Sequence, residues 1–137
     1  MRYEHCRVSH NPEAGSYGDC IRACIASLLD LDAEKVPHFA YDNASAETVR
    51  ERMDDYLAGY GLKTWWTHYP PDIDRAELLE MLSGGIPYML MGASPDGIDH
   101  VVICCNGKVV HDPAWYPSTP VKGGSHGAWS VVVLARV

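Results

Sequence analysis

The stretch HVVICCNGKVVHDP, residues 100–113, predicts a β-hairpin. Its two apolar runs have the length of strands, and the Asn-Gly pair at 106–107 between them is the strongest short signal for a tight hairpin turn. Pairing the runs antiparallel from this turn brings Asp112 on the second strand close to His100 at the start of the first. The stretch therefore predicts a pair of strands and a histidine–aspartate pair across them.

Apolar runs of strand length also lie on both sides of the hairpin, as IPYMLMG at residues 86–92 and WSVVVLARV at residues 129–137. Further upstream, LKTWWTHY at residues 62–69 alternates in the manner of a strand, and one of its two tryptophans is expected to point into the core. A short strand is also expected at EHCRV, residues 4–8. The strand signals therefore concentrate in the C-terminal half of the chain.

Three helices are predicted ahead of that sheet, from apolar positions at helical spacing and from residues that start or stop a helix. Their expected bounds are Asp19 to Asp30, Ser45 to Gly59 or Gly61, and residues 73–82. Asp19 and Ser45 are of the residue types that cap helix N-termini. Helices followed by an antiparallel sheet indicate an α+β fold, and a length of 137 residues is typical of a single domain, here 1–137.

The composition narrows the classes of partner. The formal net charge is −7, which argues against a nucleic-acid surface, because such a surface needs clustered Lys and Arg. No apolar run approaches the roughly 20 residues of a membrane span, so no membrane partner is expected. Five cysteines are an odd number, and an odd number suits thiols in a reducing compartment better than a set of disulfides. We therefore expect a cytoplasmic protein.

The candidate nucleophile is Cys20, in the stretch SYGDCIRACIASLLDL at residues 16–31. It falls in the first turn of the first predicted helix, where the helix dipole and free backbone N–H groups favour a thiolate. Gly18 would let a substrate backbone approach closely. His100 can then act as general base and acid, with Asp112 holding the imidazole. The alternative is that Cys20 is a small buried residue, as free cysteines often are.

The remaining cysteines and histidines leave other interpretations open. Cys24 lies inside the apolar stripe of the helix and is expected to be part of the core. A zinc site is a rival interpretation of the cysteine, histidine and aspartate residues taken together, which are Cys20, Cys24, His100, His111 and Asp112. The chain lacks a CxxC pair, and neighbours on a strand point to opposite faces, so no metal or cofactor is expected. Residues 117–127 are expected to form a flexible loop after the site.

The sequence resembles the papain-like cysteine peptidase superfamily, and within it the bacteriocin-processing peptidases that cut after double-glycine leaders. The resemblance lies in GDCIRAC at 18–24, HVVI at 100–103 and VVHDP at 109–113. The chain is also similar to small uncharacterised phage proteins with GDC, ACIASLL, VPHF and HDP in this order. The resemblance implies a papain-like fold, with Cys20 as nucleophile, His100 as base and acid, and Asp112 as the orienting residue.

The chain departs from the peptidase pattern on the oxyanion side. Those peptidases place a glutamine shortly before the nucleophile, and this chain contains no glutamine. Asn11 and His10 are the candidate substitutes, with the backbone N–H of Cys20 as a second donor. Loss of one oxyanion donor costs about 10²- to 10³-fold in rate.

Two classes of function follow from these observations. The first is a thiol hydrolase that cleaves a peptide or other amide bond of a peptide or protein substrate through a Cys20 thioester, and acyl transfer would use the same residues. The second is a phage-encoded binding or inhibitory protein that keeps the fold and acts on a host partner in the host cytoplasm. The missing glutamine and the acidic charge favour the second class.

Overall fold

The computed structural model describes residues 1–116 and 118–137, so Pro117, the first residue of the predicted loop, lies outside the described part. Within that part the chain forms three α-helices and five strands, an α+β fold. Their bounds are α1 Cys20–Leu28, α2 Ala46–Ala58, β1 Leu62–Tyr69, α3 Arg75–Met81, β2 Tyr88–Ala93, β3 Asp99–Cys105, β4 Lys108–His111 and β5 Trp129–Arg136. The predicted helices and the strands downstream of α2 are confirmed to within a few residues.

The chain divides into two compact units. The first comprises Met1–Trp65 and Leu134–Val137, and the second comprises Trp66–Val133. The first therefore contains α1 and α2, and the second contains α3 with β2, β3 and β4. The assignment of one domain over 1–137 stays a prediction.

The strands form one sheet in the order β1-β5-β2-β3-β4. β2 pairs antiparallel with β3 and β5, and β3 pairs antiparallel with β4. Asn106 and Gly107 have φ values of 54° and 76°, so both residues of the turn lie in the left-handed region that a type I′ hairpin turn requires. The predicted hairpin is therefore confirmed.

The second unit buries α3 against the sheet. Leu78 and Leu79 of α3 pack with apolar side chains of β2, β3 and β5, which are Tyr88, Leu90, Val102, Cys104, Trp129 and Val131. Trp129 is fully buried, and its indole N–H donates to the carbonyl of Ile73 at 2.9 Å. A Cβ at Gly92 would lie 2.7 Å from the Trp129 ring, so glycine is needed there for the tryptophan to fit.

In the first unit, α1 is buried on all sides over five consecutive residues, whereas α2 buries one stripe at helical spacing. The buried residues of α1 are Ala23, Cys24, Ile25, Ala26 and Ser27, and those of α2 are Val49, Met53 and Leu57. Cys24 is completely buried, so its assignment to the core is confirmed. The hydroxyl of Ser45 accepts a hydrogen bond from the Thr48 N–H at 3.2 Å, as expected of the cap of α2.

The strand expected at residues 4–8 is wrong. The backbone N–H groups that a ladder would use donate to side chains of the same unit instead. Glu4 N–H donates to the Ser27 hydroxyl at 3.0 Å, and Val8 N–H donates to the Asp19 carboxylate at 3.0 Å. The segment is therefore held as an irregular chain.

The expectation that one of the two tryptophans of β1 points into the core is also wrong. Trp65 is exposed and Trp66 is only half-buried, whereas Trp129 is fully buried. Among the described residues, no helix has both the length and the apolar character to cross a membrane.

Candidate active site

The hairpin brings His100 and Asp112 into contact. The Nε2 atom of His100 lies 2.7 Å from Oδ1 of Asp112, and both side chains are largely buried. Because a carboxylate only accepts, His100 must donate its Nε2–H, and the neutral ring then has its lone pair on Nδ1. The pair thus fixes which nitrogen of His100 can act as a base.

A register shift in the ladder determines the face on which Asp112 lies. Cys104 pairs with Val109, but Ile103 pairs with His111, so one residue of β4 is extra at this point. If this register is continued by one residue, Asp112 lies opposite Val102, whose side chain is on the same face of the sheet as that of His100. Without the shift it would fall opposite Val101, and its side chain would point to the other face.

The Asp112 carboxylate accepts hydrogen bonds on both oxygens. Oδ1 accepts from His100 and from the Ala114 N–H at 3.0 Å, and Oδ2 accepts from the Thr119 hydroxyl at 2.9 Å. Burial raises the pKa of Asp112, but the hydrogen bonds from His100, Ala114 and Thr119 together outweigh it, so the pKa lies below the ordinary value of 3.8. The group is therefore an ionised carboxylate at neutral pH.

Thr119→Val is expected to destabilise the protein by about 1.5 kcal/mol at neutral pH, since a hydrogen bond to a charged group is lost. The lowered pKa of Asp112 contributes stability that is present above pH 3.8 and is lost as the pH falls through the folded pKa. The deficit of the valine variant should therefore vanish in acid. Chemical denaturation measured across the pH range checks this.

Thr119→Ser is the matched control, because it keeps the hydroxyl and should keep most of the stability. A deficit in Thr119→Val that is constant with pH, or an equal deficit in both variants, would assign the effect to packing instead of to the carboxylate.

Cys20 is the first residue of α1, and its side chain is half-buried. Asp19 occupies the N-cap position, but its side chain makes no capping hydrogen bond, so the prediction that it caps the helix is wrong. The first N–H groups of an α-helix have no partner within the helix. The start of α1 therefore presents backbone donors that Asp19 does not occupy, in the turn that contains the thiol.

The carboxylate of Asp19 instead accepts from the N-terminal segment and from its own helix. It accepts from the N–H groups of Arg7 and Val8 at 3.0 Å each, and it forms an ion pair with Arg22 at 2.9 Å. The side chain of Asp19 is completely buried. These bonds satisfy its charge and hold residues 7 and 8 against the start of α1.

Asp19→Asn is expected to destabilise the protein by about 3–5 kcal/mol, since it breaks a buried ion pair and leaves Arg22 without its counter-charge. Denaturant unfolding monitored by circular dichroism measures this loss. Hydrogen exchange at Arg7 and Val8 should also become faster, because both N–H groups donate to Oδ1 and an uncharged amide oxygen is a weaker acceptor than a carboxylate oxygen.

The matched control is Asp42→Asn, which breaks an aspartate–arginine pair whose side chains are partly exposed, and it should change stability far less. Equal losses in the two variants would contradict the role given to burial.

His10 and Asn11 differ in their availability as oxyanion donors. The Gly18 N–H donates to Nδ1 of His10 at 3.1 Å, so the neutral ring has its proton on Nε2 and is a donor there. Asn11 precedes the 3₁₀ turn Pro12–Ala14, and its backbone pairs with Ser16. Of the two, only His10 is tied by its side chain to the segment that leads into Cys20.

Gly18 has a different neighbour from the one expected. A Cβ at this position would lie 3.2 Å from Cβ of His10, so the missing side chain makes room for His10. The contact with His10 is a structural reason for glycine at this position, and the approach of a substrate backbone to Gly18 stays a prediction.

The two buried cysteines, Cys24 and Cys104, are less accessible to a substrate than Cys20. Cys104 is fully buried, and burial raises the pKa of its thiol to about 12. Cys6 and Cys105 are half-buried, and none of the five cysteines forms a disulfide within the described residues. In residues 1–116 and 118–137, no group of three or more His, Cys, Asp and Glu side chains is placed to hold a metal ion.

Sequence reasoning missed Thr119 as a partner of Asp112, and it gave Asp19 a different role. Thr119 follows Asp112 by seven positions, and a hydroxyl in a turn-rich segment after an aspartate is the signal that could have indicated it. The buried role of Asp19 could have been suspected from Arg22 at i+3, the spacing of a helical ion pair.

Cys20 belongs to the first compact unit, and His100 and Asp112 belong to the second. Comparison of the chain with family models, with curated proteins and with solved structures finds no match.

Proposed function

We propose that the protein is a cysteine hydrolase of papain-like fold that cleaves a peptide or other amide bond. The observation that carries the proposal is the 2.7 Å hydrogen bond between His100 and Asp112, two largely buried side chains. A buried histidine held by an ionised carboxylate is the arrangement that a general base requires. A half-buried cysteine at a helix start supplies a nucleophile of matching chemistry.

The first half of the reaction forms a thioester. Nδ1 of His100 takes the proton of the Cys20 thiol, and the thiolate attacks the carbonyl carbon of the amide, forming a C–S bond. The oxygen of the tetrahedral intermediate accepts hydrogen bonds from the Cys20 N–H and from Nε2–H of His10. His100 then gives its proton to the leaving nitrogen as the C–N bond breaks.

The second half returns the enzyme to its starting state. His100 takes a proton from water, and the resulting hydroxide attacks the thioester carbon. The C–S bond breaks, the carboxylic acid leaves, and the proton returns from His100 to the sulfur of Cys20. Acyl transfer follows the same route with an amine or alcohol in place of water, and product analysis separates the two reactions.

Site-resolved alkylation tests the proposal without a known substrate. Iodoacetamide at neutral pH should label Cys20 faster than Cys6 and Cys105, although all three side chains are half-buried. His100→Ala should remove this difference in rate. Peptide mass spectrometry over a time course gives each rate. Equal rates for Cys20 and Cys6 in the unaltered protein would contradict an activated nucleophile.

A binding or inhibitory protein is the second candidate. It is favoured by the absence of glutamine from the chain and by the formal net charge of −7. Such a protein would use the fold against a host partner and would need no activated thiol, so the same alkylation experiment discriminates between the two candidates. In both cases five cysteines, an odd number, fit thiols in a reducing compartment better than a set of disulfides, and we propose a cytoplasmic location.

A further inference from the structure

A cleft in the first unit lies outside the residues assigned to catalysis. Its volume is about 490 Å³. It is lined by Pro37, His38, Phe39, Tyr41, Arg52 and Asp55. The Nε2–H of His38 donates to the carbonyl of Tyr17 at 2.7 Å, so one wall of the cleft is bonded to the segment that leads into α1.

The apolar lining of the cleft consists of Pro37 and two aromatic side chains, Phe39 and Tyr41. Phe39 is buried and Tyr41 is exposed, and the Phe39 ring also packs edge-on against Tyr56 with 5.9 Å between centroids. Aromatic faces attract cations as well as apolar groups. The guanidinium of Arg52 lies 5.2 Å from the centre of the Tyr41 ring, which shows that this ring accepts a cation.

The charge of Arg52 is matched by the carboxylate of Asp42. Its two terminal nitrogens donate to the two oxygens of Asp42 at 2.8 and 3.1 Å, and one of them also donates to the Phe39 carbonyl at 3.0 Å. A carboxylate or phosphate entering the cleft would find the charge of this guanidinium already neutralised by Asp42 and three of its five N–H donors in use. The cleft is therefore a poor site for an anion.

Asp55 supplies the remaining charge. It is exposed, and in the described part of the chain it has no ion-pair or hydrogen-bond partner. With Arg52 matched by Asp42, the cleft retains one uncompensated negative charge beside aromatic walls. We infer that the cleft binds the side chain of a lysine or arginine on a peptide or protein partner, with the apolar stem against the aromatic wall and the cationic end at Asp55.

A titration of the full-length chain followed by NMR tests this inference. The probes are three blocked tripeptides, centred on arginine, norleucine and glutamate, and Cys20→Ala prevents turnover so that binding is read alone. The arginine peptide should bind about tenfold more tightly than the norleucine peptide, since the ion pair and the cation–π contact add together. Its shifts should map to residues 37–42 and 52–56, and the glutamate peptide should not bind there.

Asp55→Asn should weaken arginine binding by up to about fivefold and leave norleucine binding unchanged. Glu47→Gln removes another exposed carboxylate of the same helix and should have no effect. Equal affinity for arginine and norleucine, or an arginine affinity that Asp55→Asn leaves unaltered, would overturn the inference. Because no readout uses hydrolysis, failure of the proposed catalytic function would leave this result intact.

Discussion

Replacing Cys20 with alanine is expected to lower kcat for amide hydrolysis by about 10⁶-fold, because removal of the nucleophile leaves no route to a thioester. The residual rate would come from binding and oxyanion stabilisation alone. Steady-state assays with a panel of fluorogenic peptide amides measure the loss. A burst of released amine, followed by slower turnover, would further identify the acyl-enzyme in the unaltered protein.

The matched control is Cys24→Ala, one helical turn along α1. Cys24 is completely buried, so its replacement should cost about 1 kcal/mol of stability and leave hydrolysis largely intact. A Cys20→Ala protein that still hydrolyses the responsive substrate would refute the thioester route. Equal loss of activity in the two folded variants would show that helix integrity, rather than the thiol, matters.

The hairpin was predictable because its determinants are local. Asn106 and Gly107 accept left-handed φ values at little cost, and the apolar runs on either side have the length of strands. Simple counting from that turn brings Asp112 near His100, but it places the two side chains on opposite faces. The register shift after Cys104 corrects the face, and no residue type in this stretch marks that shift.

Long-range hydrogen bonds explain the other differences. Asp19 has a residue type that caps helices, and the competing donors that draw its carboxylate away are N–H groups 11 and 12 positions earlier in the chain. A local pattern contains no information about those donors. The buried tryptophan was missed for a similar reason. Alternation of residues along a strand does not show which strand contributes the tryptophan of the core, and that residue is Trp129 and not one of the two in β1.

Asp112→Ala is expected to lower kcat by about 10⁴-fold, because His100 loses both the acceptor that fixes its tautomer and the charge that stabilises the imidazolium. Asp112→Asn should be much milder. The Ala114 N–H donates to the same oxygen as His100, so it should hold the amide with its carbonyl oxygen towards His100, and Thr119 can accept from the amide NH₂.

The asparagine variant thus retains the tautomer of His100 and loses only the negative charge. The hydrogen bond to that charge stabilises the transition state by about 1.5–3 kcal/mol, so its loss should lower kcat by about 10- to 100-fold. Steady-state kinetics of the two variants, with His100 tautomers assigned by ¹⁵N NMR, check both parts. If asparagine were as damaging as alanine while the ring kept its proton on Nε2, the charge alone would be essential. If the proton moved to Nδ1, the Ala114 N–H would not control the amide, and the orientation of the base would depend on the carboxylate itself.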